Sequence, residues 1–400
     1  MYSFKRFMLT SMAISIGLVN FSCYANTHIA DKKNYVLNHI HVKEGDQIKT
    51  MTLPEAMAHF KVPAISFSVI QSDKISWVDA IGYTDSDHTK KVNTGTLFQA
   101  GSMSKSVAAI TALSLVDRGI LNLDSAVTPL LRGWVISKPD KFKDEAVTLR
   151  QLLSMSSGLN VGGYYGYAPG QPLPMLIQTL NGMKPANNPP LKMIYQPGKQ
   201  YYYSGGGYEV IQLLINSQTS SSFIQNVQNY VLTPLGMVHS NYDQPLAERF
   251  AKNAALATNS DGNTFTYKWR ITPEYAAAGL WSTPTDLAKF VLSVMKAYQG
   301  KNGEVISATI AKDALTQQKN TPYGLGFVVK GKSQTLRFMK LGQNAGYQGW
   351  LAGLPNTGQG VIVMTNSDNG RELAQDLIYA IAKAYQWPTN GKMQDAWMVK

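Results

Sequence analysis

Ser102-Met103-Ser104-Lys105, followed by apolar residues at Val107, Ile110, Leu113 and Val116 and then by Gly119, is the stretch on which the fold turns. The three-to-four-residue spacing predicts a helix that starts near Ser102 and stops at the glycine. Residues three apart on a helix share a face, at roughly 5–6 Å between Cβ atoms, so the lysine amine is expected to reach the serine oxygen. A serine at a helix start also meets free backbone N–H groups and the positive end of the dipole, which favour a developing oxyanion. This is the arrangement a lysine-activated serine nucleophile needs.

The chain carries the same spacing a second time, at Ser293-Val294-Met295-Lys296. That copy follows Leu287-Ala288-Lys289-Phe290-Val291-Leu292, well inside an apolar helical run, where a serine has no free N–H groups beside it. It is read as structural.

Outward from the serine, the order of elements suggests one sheet built from both chain ends. Leu53 to Phe60 reads as a short helix. Ala64 to Ile70 and Ile75 to Ala80 read as a hairpin about Ser72-Asp73-Lys74. Roughly residues 124–274 change to helices joined by loops rich in Gly, Pro, Asn and Tyr. Pro284 to Tyr298 reads as a helix, Tyr323 to Val329, Gly349 to Leu354 and Gly360 to Thr365 as strands, and Arg371 to Tyr385 as a closing amphipathic helix. The predicted class is α+β: an antiparallel sheet flanked by helices, with a helical domain inserted.

Four hundred residues with 44% hydrophobic content suffice for a large core. Lys5 and Arg6, the apolar run Phe7 to Val19, and Ser22-Cys23-Tyr24-Ala25 read as a secretory signal peptide over residues 1–25, leaving 26–400 as the mature domain. The apolar run is shorter than the ~20 residues a span needs, and no later stretch is long and apolar enough for one. The expected location is therefore the periplasm or the extracellular space, with a lipoprotein anchored at Cys23 the weaker reading because Asn20-Phe21-Ser22 makes a poor lipidation box. Cys23 is the single cysteine, so the mature chain is expected to hold no disulfide. Removal of Lys5 and Arg6 lowers the net charge from +12 to +10. Scattered lysines and arginines do not form a nucleic-acid footprint; they favour, at most, anionic ligands. The six histidines show no metal-ligand spacing and no pairing with a G-x-S-x-G serine, so no metal or other cofactor is expected.

Lysine-activated serine chemistry also needs a proton path, an oxyanion hole and a substrate anchor. Tyr201-Tyr202-Tyr203-Ser204-Gly205-Gly206-Gly207-Tyr208 offers phenols beside a flexible turn, and Lys340-Leu341-Gly342 offers an ammonium on a segment entering the strand at Gly349. With these three motifs in order, the chain resembles the serine β-lactamase and penicillin-binding-protein superfamily, in particular its class C β-lactamase-like branch. Supporting phrases with the same resemblance are Ser156-Ser157-Gly158-Leu159, Pro234-Leu235-Gly236-Met237, Ala278-Gly279-Leu280-Trp281-Ser282-Thr283 and Tyr323-Gly324-Leu325-Gly326-Phe327, which span nearly the whole mature chain.

The resemblance implies a serine hydrolase that forms an acyl-serine on amide or ester bonds of β-lactams or D-amino-acid peptides, with a carboxylesterase, or a binder of penicillin or peptidoglycan peptides without turnover, as the alternatives. By the same resemblance Ser102 is the nucleophile, Lys105 its base and Tyr203 the proton shuttle, with Tyr202 as the competing phenol. Lys340 holds a substrate carboxylate or tunes Tyr203, the N–H groups of Ser102 and Gln343 form the oxyanion hole, and Gly342 and Asn344 line the substrate site. Two residues depart from the pattern. Gly205 stands where the family has asparagine, and Leu341 where β-lactamases have a hydroxyl, which argues against efficient β-lactam hydrolysis. Asn344 is the candidate for a replacement amide.

Overall fold

The computed structural model describes residues 29–301 and 305–389. The expected signal peptide, with Cys23, lies outside the described residues.

Six antiparallel strands run in the order β4-β3-β10-β9-β8-β7: β3 Ala64–Gln71, β4 Lys74–Gly82, β7 Val328–Lys330, β8 Arg337–Asn344, β9 Tyr347–Leu354 and β10 Gln359–Thr365. Early and late strands meet at the β3–β10 pair, where Val361 lies opposite Val69 and Val363 opposite Phe67. Every residue of β9 and β10 is buried. Helices cover the sheet, which accounts for the unbroken apolar run in β10. Pro284–Tyr298 packs on β3, β9 and β10, and Gly370–Ala384 on β9 and β10. The first of these helices starts as its sequence demands: Thr283 caps it by accepting from the Asp286 N–H at 3.2 Å, and Pro284 occupies the first turn, where no donor is lost.

A second layer, mainly helix and loop, lies between β5 (Phe98–Gln99) and β6 (Trp281–Ser282), which pair with each other and so close the insertion at its neck. Its centre is the helix Ser104–Asp117. Twelve of its residues, Ser104 through Leu115, are buried. Lys105 apart, Ser, Ala and Thr alternate there with Val, Ile and Leu, so the rest of the helix is apolar or small on every side, as suits a helix enclosed by its neighbours. The Gly205–Gln218 and Tyr275–Ala278 helices pack against it.

One expectation needs correction, and two features lie outside the sequence reading. The strand predicted from Tyr323 to Val329 shrinks to Val328–Lys330, because Gly326 takes φ +96 and turns the chain before the ladder begins. Lys340 lies in a strand of its own, β8, just where β7 ends: β7 pairs only with residues 337–339, so from Lys340 onward β8 is paired with β9 alone and presents a free edge. Ahead of the helix at Leu53 the chain also forms a hairpin, β1 (Ile40–Glu44) with β2 (Gln47–Met51), whose second strand shows no alternation because it is almost wholly exposed. Helix Leu53–His59, the β3–β4 hairpin, Pro284–Tyr298 and Gly370–Ala384 lie where the periodicity places them, to within a few residues.

Candidate active site

Ser102 lies in a 3-10 turn, Gly101–Met103, that leads directly into the Ser104–Asp117 helix. The tight turn brings its side chain over the first α-turn, and Lys105 donates to the Ser102 Oγ at 3.1 Å. The turn abuts strand β8 so closely that any side chain would block it. A Cβ on Gly101 would meet the Gln343 backbone at 2.5 Å, and one on Gly342 would meet the Ala100 carbonyl at 2.0 Å. The main chains at Ser102 and Gln343 are therefore neighbours, as an oxyanion hole built from their N–H groups requires.

The Lys105 amine also donates to the Ala277 carbonyl at 2.7 Å and is otherwise enclosed, with 1% exposure. It lies 5.3 Å from the centre of the Tyr203 ring and 5.8 Å from that of Tyr208. Burial holds it below the ordinary lysine value, against the pull of Tyr203 and with the Lys340 charge pushing the same way. A depressed value leaves more free amine near neutrality, the form that accepts a proton.

Tyr203 reaches this centre because Ser204 caps the next helix. The Ser204 Oγ accepts from the Gly207 N–H at 2.9 Å and donates to the Asn160 carbonyl at 2.9 Å, which fixes the extended backbone just behind the phenol. Tyr202, the competing phenol, instead packs its ring against Tyr195 at 5.2 Å. Lys340 donates to the Tyr203 hydroxyl at 3.1 Å and to the Tyr323 hydroxyl at 3.0 Å. Its amine is almost fully buried, and burial pushes it down to about 7. Lys340, Gly342 and Asn344 alternate onto one face of β8, the face turned toward Ala100. The Asn344 amide donates to Gln99 at 2.6 Å and to the Ala278 carbonyl at 3.2 Å. Together these groups line a cleft of roughly 830 Å³, whose walls carry Tyr164, Tyr201, Phe265 and Arg270.

The structure brings Ser102, Lys105, Tyr203, Lys340, Gln343 and Asn344 to one cleft, with Gly342 directly behind it. It keeps Ser293 apart, buried inside the Pro284–Tyr298 helix. Gly205 has a steric cause. A Cβ there would lie 2.9 Å from the Gly162 carbonyl oxygen and 3.3 Å from the Tyr164 ring, and the Gly205 N–H already donates to that carbonyl at 3.1 Å. The space of an asparagine side chain is occupied by the 160–164 loop. Tyr323 and the Ala277 carbonyl escape sequence reading, the first because its phrase reads as a strand and the second because a backbone oxygen carries no sequence signal. Among the described residues there is no cluster of three or more His, Cys, Asp or Glu that would hold a metal ion, and no helix is long and apolar enough to cross a membrane.

A mixed fold with a six-stranded antiparallel sheet and a serine-lysine pair at the sheet's junction with a helical layer defines the β-lactamase and transpeptidase class. The chain belongs to the beta-lactamase family of hydrolases, whose family model matches residues 52–386. Among similar proteins, one from Escherichia coli O157:H7, provisionally named a D-alanyl-D-alanine carboxypeptidase, is 25% identical over 332 residues, covering 72% of this chain and 74% of that one. A teichoic acid D-alanine hydrolase of Staphylococcus aureus is 25% identical over 269 residues, covering 66% of this chain and 62% of that protein. In fold, the chain resembles an octameric penicillin-binding protein homologue from Pyrococcus abyssi with a TM-score of 0.69, at 23% identity over 84% of this chain and 76% of that one.

Proposed function

We propose that this hydrolase works through an acyl-serine at Ser102, on amide or ester bonds of small D-amino-acid or β-lactam-like substrates. The observation that carries the reading is the Lys105 amine, buried, held below its ordinary value and 3.1 Å from the Ser102 Oγ.

In this reading Lys105 takes the Ser102 proton as the oxygen attacks the substrate carbonyl carbon, and the oxyanion forms between the N–H groups of Ser102 and Gln343. Loss of one such donor typically costs ~10²–10³ in rate. The Tyr203 hydroxyl gives its proton to the departing nitrogen or oxygen as the scissile bond breaks, and recovers one from Lys105. Water then attacks the acyl ester by the reverse relay, releasing the acid and restoring Ser102. Lys340, which donates to Tyr203, stabilises the phenolate when that proton leaves.

The substrate class follows from the walls. Two phenols receive the Lys340 amine and burial brings it to about 7, so it is a weaker carboxylate anchor than an exposed lysine. Leu341 adds no hydroxyl, and no asparagine fits at 205. These features favour D-alanyl esters and small amides over penicillins, in keeping with the names of the two hydrolase relatives. Such substrates occur in the cell envelope, consistent with export directed by residues 1–25. A lone small molecule or peptide is the only partner the reaction needs.

The test is intact-protein mass spectrometry after treatment with a fluorophosphonate, followed by turnover of a D-alanyl ester, D-alanyl-D-alanine and a penicillin side by side. Wild type and Ser293→Ala are expected to gain one adduct and Ser102→Ala none. Adduct on Ser102→Ala refutes the assignment. A wild type that acylates but releases no product supports a binding protein instead.

A further inference from the structure

The carbonyl that holds Lys105 is itself held from behind. Ala277 belongs to the four-residue helix Tyr275–Ala278, whose three alanines are buried. Its N–H donates to the Glu209 carboxyl at 3.1 Å, and the neighbouring Ala276 N–H donates to the Gln212 side-chain oxygen at 3.1 Å. Glu209 and Gln212 stand three apart on the Gly205–Gln218 helix, so they present a common face. Both are buried, with 1% and 4% exposure. The same short segment is tied on its other side to the serine turn and to β8. The Leu280 N–H donates to the Ser104 hydroxyl at 3.1 Å, the Ala100 N–H donates to the Leu280 carbonyl at 2.8 Å, and Asn344 reaches the Ala278 carbonyl.

Resting on the acyl-serine reading, we propose that Glu209 and Gln212 are positioning residues: they clamp the Tyr275–Ala278 turn so that the Ala277 carbonyl orients the Lys105 amine toward Ser102. A neutral amine has two N–H bonds and one lone pair. Directing one N–H at Ala277 restricts where the lone pair points, and the Ser102 Oγ lies 3.1 Å away in the remaining space. No asparagine at position 205 is available for this task, since the 160–164 loop fills its place. The tyrosine-bearing helix therefore reaches the lysine indirectly, one turn further along, through a peptide group. Burying an acid beside a base would defeat the arrangement if the acid were charged, because a carboxylate would pull the Lys105 value upward. Burial, reinforced by Glu274, pushes the Glu209 carboxyl well above the usual range, which weakens its upward pull on the Lys105 amine while its oxygen accepts from the Ala277 N–H.

The test is the rate of acylation by a nitrophenyl ester or a fluorophosphonate, followed from pH 5 to pH 10 in Glu209→Ala, Glu209→Gln and Gln212→Ala. The titratable groups around Lys105 are Lys340, Tyr203, Tyr208 and Glu209, and those around Glu209 are Glu274, Tyr164, Tyr242 and Tyr275. Loss of one buried hydrogen bond predicts a fall of about tenfold or more for Glu209→Ala at every pH. Glu209→Gln keeps an acceptor and recovers most of the rate, without moving the acid limb of the profile. Equal rates in Glu209→Ala and wild type, or equal losses in Glu209→Ala and Glu209→Gln, overturn the clamp. If Glu209→Ala does not fold, Glu209→Asp decides, since it keeps the acid but falls short of Ala277 by one methylene; a wild-type rate there overturns the proposal. A wild type that is not acylated at all overturns the acyl-serine reading, whereas an acylated wild type with insensitive Glu209 variants overturns the clamp alone.

Discussion

Restoring asparagine at position 205 is expected to damage the protein rather than to create a better penicillin hydrolase. The first side-chain atom alone would stand 2.9 Å from the Gly162 oxygen and 3.4 Å from its carbonyl carbon, and the nearest obstacle is backbone, which cannot swing aside as a flexible side chain does. The Gly205 N–H bond to that same carbonyl, at 3.1 Å, ties the loop to the helix start, so relief by moving residue 162 also loses a hydrogen bond. Overpacking of this kind costs about 1–3 kcal/mol. At about 2.1 cal/mol/K per residue for the unfolding entropy, a chain of this length should melt roughly 1–4 °C lower. The assay is differential scanning fluorimetry of Gly205→Asn beside Gly205→Ala, with the acylation rate by a penicillin measured on both. Because the closest contact is Gly162 rather than Tyr164, adding Tyr164→Ala should not rescue the double variant. An unchanged melting temperature together with faster penicillin turnover in Gly205→Asn would refute the steric account of the missing amide.

Two further expectations concern titration. Tyr323→Phe removes one of the two acceptors of the Lys340 ammonium, which disfavours its charged form and should carry its midpoint below about 7. The decline of acylation rate on the alkaline side should then begin at lower pH, and an unmoved limb in a folded variant would show that Tyr323 does not act through Lys340. Glu274 is buried, neither oxygen has a well-formed hydrogen bond, and burial moves its carboxyl from 4.5 to about 7. Its folded value is raised, so its contribution is fully present below about pH 4.5 and is lost as pH rises through 7, by about 3 kcal/mol at most. Glu274→Gln should therefore unfold in urea with a midpoint that falls less between pH 5 and pH 8 than wild type's; parallel curves would place the charge elsewhere.

Periodicity alone fixed most of the elements: the buried apolar run of β10, the capped helix from Pro284 and the amphipathic helix from Gly370 are local properties of their residues. The spacing of Ser102 and Lys105 was equally legible, since one helical turn dictates that the two side chains meet. Sequence also separated this pair from Ser293 and Lys296, because a helix interior offers no free N–H groups.

What local pattern does not carry is the company those side chains keep. Tyr323 reads as part of a strand, and only the turn at Gly326 lifts it out of the ladder and toward Lys340. Gly205 reads as a missing amide, yet its meaning lies in the Gly162 backbone, which stands far off in sequence and fills the space. Ala277 offers only a backbone oxygen, and Glu209 gains its role by facing that peptide across the interface of two helices. Helices and strands follow from interactions a few residues apart, whereas the orientation and proton affinity of Lys105 depend on burial and on partners that meet only when distant segments pack together.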